Sequence, residues 1–200
     1  MVFLTWHILE VFSNMKLLKY IIAIGLPVGA YLLCIWLTGI LPADHWGFAI
    51  SVNFLLMIIF TVIFDHLFPP VFLKKYFSPK PFEREGTIYL WVGIRYFKKL
   101  LKLIGWEKII RKGQVIKNQQ ESLANYKIWT EGAEAIHLFA SIYVLAFTIW
   151  IAMVYSIGEV FWLIFFNVIF NVYPVMLQRY NRSRVMRLIH YHKMRMNEAG

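Results

Sequence analysis

Val160-Phe161-Trp162-Leu163-Ile164-Phe165-Phe166-Asn167-Val168-Ile169-Phe170-Asn171-Val172-Tyr173-Pro174-Val175-Met176-Leu177-Gln178 runs directly into Arg179-Tyr180-Asn181-Arg182-Ser183-Arg184. The first part is close to the roughly 20 apolar residues that a helix needs to cross a bilayer. The second part is polar and cationic, as the headgroup region favours. Topology alone accounts for Arg179, Arg182 and Arg184. It does not account for Asn167, Asn171 and Gln178, which are costly at membrane depth and precede the cations by whole helical turns.

The rest of the chain agrees with a membrane setting. Of its 200 residues 60% are hydrophobic and 18% aromatic, above the usage of soluble domains. Lys and Arg are absent between Tyr20 and Leu73 and again between Ile128 and Gln178. The net charge of +10 therefore flanks apolar runs and forms no soluble basic face, which excludes nucleic acid and favours anionic lipid headgroups as partners.

Apolar runs at 18–40, 46–68, 134–157 and 160–178 predict an all-α integral membrane protein with four transmembrane helices. The order reads as an interfacial N-terminal helix (1–17), a first helix pair (18–68), a loop (69–133), a second pair (134–178) and a basic tail (179–200). Leu41-Pro42-Ala43-Asp44-His45 turns the first pair and Ser156-Ile157-Gly158-Glu159 the second. All 21 basic residues lie at or before the start of the first span, in the central loop, or after the fourth span. The positive-inside rule then puts both termini and the loop in the cytoplasm, in a multi-pass protein of the cell membrane. The first span is long and followed by no small-residue cleavage site, so it reads as retained. Cys34 stands alone, so it forms no intrachain disulfide, and Leu32 and Leu33 before it argue against lipid attachment.

Within the loop, prolines and Gly86 punctuate an ordered stretch at 78–86. Leu90, Ile94, Phe97, Leu101 and Ile104 then recur at helical spacing opposite Arg95, Lys98, Lys99 and Lys102. This predicts a basic amphipathic helix over 89–106, apolar stripe down on the cytoplasmic leaflet. Residues 111–127 read as a helical connector.

On an ideal helix Asn167, Asn171, Gln178, Asn181 and Arg182 share a stripe roughly 100° wide. Pro174 lies in the same stripe and frees the carbonyl of Phe170. In the third span Glu134, His137, Ser141 and Thr148 fall within about 60° of each other. Equal distances counted back from the turn near Gly158 put His137 level with Arg179 and Glu134 level with Arg182. Asp65 and His66 end the second span on the same side.

A carboxylate one turn from an imidazole can orient it as a general base. Amides can donate to an oxyanion, and guanidinium groups bind phosphate or carboxylate. Each feature also has a bland reading. An isolated E-x-x-H is common on helices, amides fasten helices together, Asp65-His66 can cap a helix end, and the Trp and Tyr residues near span ends suit an interfacial belt. A metal site would need Glu134, His137 and His66 to converge, without the spacing that metal ligands usually show; none is assigned.

Ala133-Glu134-Ala135-Ile136-His137, then Asn171-Val172-x-Pro174, then Gln178-Arg179-Tyr180-Asn181-Arg182-x-Arg184 resembles the glycosyl-4,4'-diaponeurosporenoate acyltransferase family. Phe82-Glu83-x-x-Gly86 followed by Arg95 and Lys98 is a weaker part of the same resemblance, which covers about 78–188. The resemblance implies esterification of a sugar hydroxyl with a fatty acyl group at the end of staphyloxanthin-type carotenoid synthesis. It implies an acyl thioester (acyl-CoA or acyl carrier protein) as co-substrate, a lipophilic glycosylated acceptor as partner, and no bound cofactor.

In that setting Glu134 and His137 are the expected catalytic pair. Asn171, Gln178 and Asn181 are expected to bind substrate or oxyanion, and Arg179, Arg182 and Arg184 donor phosphates or headgroups. Asp65, His66, Glu83 and Arg95 are further candidates. The chain has an N-terminal helix pair and a wide gap between His137 and Asn171, so another glycolipid or a terpenoid alcohol also fits as acceptor. No histidine is followed by Asp at the fifth position, and no glycine-rich phosphate loop appears. Two other classes stay open at this point: a non-catalytic membrane subunit or lipid-binding protein, and a metal-dependent membrane enzyme.

Overall fold

A computed structural model describes residues 16–67, 73–106 and 119–198, and these are helices joined by short turns. The elements are α1 (Lys16–Thr38), α2 (Trp46–Val62), a π turn (Ile63–Leu67), α3 (Lys74–Phe77), a 3-10 turn (Pro81–Gly86), α4 (Ile88–Trp91), α5 (Ile94–Leu103) and α6 (Gln119–Val154). A 3-10 turn (Ile157–Val160), α7 (Phe161–Asn167), a second π turn (Val168–Val172) and α8 (Tyr173–Glu198) complete the order. Four helical stretches are long and apolar enough to cross a membrane: Leu18–Thr38, Trp46–Asp65, Leu123–Val154 and Ile157–Tyr191. The expected interfacial helix at 1–17 lies almost wholly outside the described residues.

The chain forms two compact units, Met1–Pro69 with Ile136–Asn171, and Pro70–Ala135 with Val172–Gly200. The division does not follow chain order, because α6 supplies residues to both.

In the first unit α2 is the central helix, packing on α1 and α7. Apart from Ser51, Asn53 and Thr61 it is apolar all round, as expected for a helix with neighbours on more than one side. Phe48, Ala49, Val52 and Leu56 are completely enclosed. Aromatic rings carry much of the remaining packing. Tyr31 meets Tyr143, Phe147 and Trp150 edge-on, and Phe139 packs against Phe60 and Phe64. The Tyr143 hydroxyl donates to the Pro27 carbonyl at 2.6 Å, tying α6 to α1. Among the described side chains of α1 only Ala30 and Cys34 are buried, so most of its apolar surface faces outward, as lipid permits.

In the second unit α8 is the organising helix, against which the Pro81–Gly86 turn, α4 and α5 pack. Pro81 starts the turn, and the Glu83 carboxylate accepts from the Lys80 N–H at 3.0 Å. Arg84, Glu85 and Gly86 then take φ values of 45°, 56° and 90° in succession. Only the glycine adopts this region without strain. Gly86 also needs its missing side chain, since a Cβ there would stand 3.2 Å from Cβ of Ser183 and 3.5 Å from Cα of Tyr180.

Two elements differ from the sequence expectation. The amphipathic stretch at 89–106 is broken between α4 and α5, because Gly93 adopts φ 86° at the start of α5. Its apolar stripe also faces outward only in part: Ile94 and Phe97 are buried, with Phe97 stacked on Tyr173 of α8, whereas Ile104 at its end is exposed. The third span belongs to a longer helix that begins at Gln119, and α8 continues without a break from the apolar run through the basic tail to Glu198.

Candidate functional site

Two buried polar clusters hold most of the residues singled out in the sequence, one in each unit.

The cluster in the second unit is ionic. Both oxygens of the fully buried Glu134 are engaged: Oε1 accepts from Nε of Arg179 at 2.8 Å, and Oε2 from a terminal nitrogen of Arg182. Arg179 also bonds Oε1 of Glu83 and donates to the Tyr76 carbonyl at 3.0 Å. Arg182 donates to the Phe77 carbonyl at 3.0 Å. The rings of Tyr76 and Phe77 lie under the two guanidinium groups, at 4.4 and 5.1 Å from Cζ to ring centre.

Two carboxylates and two guanidinium groups thus enclose one another with near-zero net charge, which is how ions become tolerable away from water. Burial pushes the Glu83 carboxyl up, but the Lys80 N–H, the Tyr89 hydroxyl and the Arg179 guanidinium outweigh it and hold Glu83 below the usual carboxylate range. Tyr89, which donates to Glu83 at 2.9 Å, is pushed up to about 12 by burial and by the carboxylate it bonds. Nε of Arg182 in this cluster is buried without a hydrogen-bond partner, as is Oε1 of Gln178 elsewhere on α8.

The cluster in the first unit is neutral. Nδ2 of Asn171 donates to Oδ1 of Asn53 at 2.7 Å and to Oδ1 of Asn167 at 3.0 Å. Asn53 donates to the Ala49 carbonyl at 2.8 Å, and Asn167 to the Ser141 carbonyl at 3.2 Å. The amides therefore link α2, α6 and α7 through a continuous chain of donors and acceptors. The His137 ring sits against the side chain of Asn171 and the backbone of Phe170. That backbone belongs to the residue whose carbonyl Pro174 cannot bond. Nδ1 of His137 and Oδ1 of Asn171 are buried and lack a hydrogen-bond partner. A π turn, Val168–Val172, carries Asn171; such single-turn insertions recur at functional sites because they re-aim side chains.

Of the remaining candidates, none whose side chain is described bonds to these networks. Arg184 is exposed, with its guanidinium 5.7 Å from the Tyr180 ring centre, and Lys98 lies over the same ring at 5.3 Å. Asn181 is half-buried, and Arg95 and Asp65 are exposed. His66 belongs to the Ile63–Leu67 turn, but its side chain lies outside the described residues. Among the described residues, no three or more His, Cys, Asp or Glu side chains come together as a metal site would require.

The sequence reading missed Asn53, although a lone amide in the middle of an otherwise apolar span was a readable signal. It also missed Tyr89 and the carbonyls of Tyr76 and Phe77. No sequence pattern marks a carbonyl that will accept from an arginine.

A family model described as glycosyl-4,4'-diaponeurosporenoate acyltransferase matches residues 73–191, more than half of the chain. No curated protein and no solved structure matches it.

Proposed function

The chain belongs to the glycosyl-4,4'-diaponeurosporenoate acyltransferase family, and from that premise we propose a specific chemistry for its buried polar residues. Family membership makes it an acyltransferase acting on a glycosylated carotenoid, so it requires an acyl donor. In the proposed reaction a fatty acyl group leaves a thioester and is esterified to a sugar hydroxyl of a membrane-embedded glycoside at the cytoplasmic leaflet.

The observation that carries this reading is His137, whose Nδ1 is buried without a partner beside the Asn171 amide. A polar atom left in that condition is costly unless a ligand completes it. His137 takes the proton of the attacking hydroxyl as its oxygen bonds to the thioester carbonyl. When the tetrahedral intermediate collapses, the carbon–sulfur bond breaks, and the imidazolium returns the proton to the departing thiolate.

Asn171 contributes through Oδ1, which accepts from a neighbouring sugar hydroxyl, since its nitrogen already donates twice. Arg179 and Arg182 spend their charge on Glu83 and Glu134, so their role and that of Glu134 is positioning. Arg184 carries no carboxylate partner among the described residues and is the arginine suited to a donor phosphate.

The test is lipid mass spectrometry of cells with and without the protein, followed by His137→Ala. The expected product is heavier than its glycoside by one fatty acyl group. His137→Ala should lower its formation by about 10²–10⁴-fold, the usual contribution of a positioned base. Undiminished acylation by folded His137→Ala protein would remove His137 from the mechanism.

A further inference from the structure

The middle of the apolar stripe expected to rest on the membrane, Ile94 and Phe97, is buried inside the protein, yet α5 is not left with a purely polar exterior. Around the helix axis its residues form three faces. Ile94, Phe97 and Leu101 lie on the packed face, with Ile94 and Phe97 buried. Arg95, Lys99 and Lys102 form an exposed basic face beside it. Tyr96, Leu100 and Leu103 form a third, apolar face turned outward, with Tyr96 76% and Leu103 84% exposed. Trp91 at the end of α4 is 91% exposed, and Val92 after it is also exposed. Lys98 is turned to the packed side, held over Tyr180 of α8, and Lys99 lies 5.9 Å from the ring centre of Tyr96 on the exposed side.

We propose that this second apolar face of α5, Tyr96, Leu100 and Leu103, together with the exposed Trp91 that precedes the break, inserts into the headgroup layer of an anionic bilayer, with Arg95, Lys99 and Lys102 binding lipid phosphates. Charge complementarity selects the occupant. The segment 88–103 carries no Asp or Glu, and its three outward cations line one edge of the apolar face. Large apolar side chains edged by Lys and Arg, with Trp and Tyr among them, are the composition that settles at a lipid–water boundary. Near an anionic surface each basic side chain biases the docked state by about five-fold. A protein partner with an acidic surface would meet the same cations, but it offers less to the exposed aliphatic and aromatic groups beside them.

The experiment uses the full-length protein in Cys34→Ser form, with a fluorophore on Leu103→Cys or Trp91→Cys. The protein is reconstituted in phosphatidylcholine vesicles with or without phosphatidylglycerol. Quenching is read from a lipid-borne nitroxide near the headgroups and from aqueous iodide. Both probes should be reached by the nitroxide and shielded from iodide when phosphatidylglycerol is present. Triple reversal to Glu at Arg95, Lys99 and Lys102 should reverse that preference, with helix content unchanged. Iodide access that is equal in both vesicle types would overturn the proposal. So would protection of the probes only on adding acyl carrier protein, which would assign the face to an acidic protein.

Discussion

Glu134 shows how much one residue can hold. Its two oxygens pair with two arginines in a site that water does not reach. Removing one partner of such a set leaves a charge without compensation, at a cost of about 3–5 kcal/mol. Glu134→Leu should therefore lower thermal stability in detergent strongly, whereas Glu134→Leu combined with Arg182→Met should recover part of the loss. Equal losses in the two variants would show that the ions are not coupled. Glu83 adds a pH dependence. Its folded carboxyl titrates below the ordinary range, so its stabilisation is complete above the unfolded value of about 4.3 and disappears as pH falls through the folded value. Melting temperatures of the native protein and Glu83→Gln should accordingly differ at neutral pH and converge in acid. The shared depth of Glu134 and Arg182 was legible in the sequence, because helical rise is fixed and equal distances from a turn give equal depth. Their ion pairing was not, since the same spacing suggests Glu134 as the partner of His137 and Arg182 as a phosphate ligand. Glu83 as the second carboxylate and Asn53 as the partner of Asn171 were not legible either. Their involvement depends on how each element is rotated and docked, which spacing alone does not encode.

At the scale of elements, four apolar runs became four helices of spanning length, since lipid leaves a backbone few other ways to satisfy its polar groups. The face that each helix buries was less legible. The periodicity of α5 marked a real apolar stripe, but a stripe of that kind suits protein and lipid equally well. The break before α5 was foreshadowed only by Gly93. Glycines 86 and 93 allow the two demands on such positions to be separated. Both have left-handed backbones, but a Cβ on Gly93 would meet nothing nearer than the Tyr173 hydroxyl at 3.6 Å, whereas on Gly86 it would press on Ser183. Gly93→Ala should cost about 1–2 kcal/mol from backbone strain alone. Gly86→Ala should add an overpacking cost of about 1–3 kcal/mol, because helix α8 is the less yielding neighbour. Denaturant titration of the two variants in the same micelle would rank them, and an equal or reversed ranking would count against close packing of the turn on α8.

For the whole molecule, the open physical question is which way it threads the bilayer. Hydropathy sets the number of crossings but is blind to direction, and direction is carried by the cations. With four crossings the two ends fall on one side. Every Lys and Arg lies before or at the start of the first span, between the second and third, or at the end of the fourth and beyond. The turns at 41–45 and 155–159 contain none. Inverting the protein would put the whole central basic segment and the cationic end of α8 across the membrane against the potential, at about 2.3 kcal/mol per charge for each 100 mV. Reporters joined to either terminus should therefore be active only in their cytoplasmic form, and a single cysteine at Gly158, in a Cys34→Ser background, should react with an impermeant maleimide added outside intact cells. Labelling at Ser78→Cys from outside would reverse the assignment, and with it the proposal that acyl donors reach Arg184 from the cytoplasm.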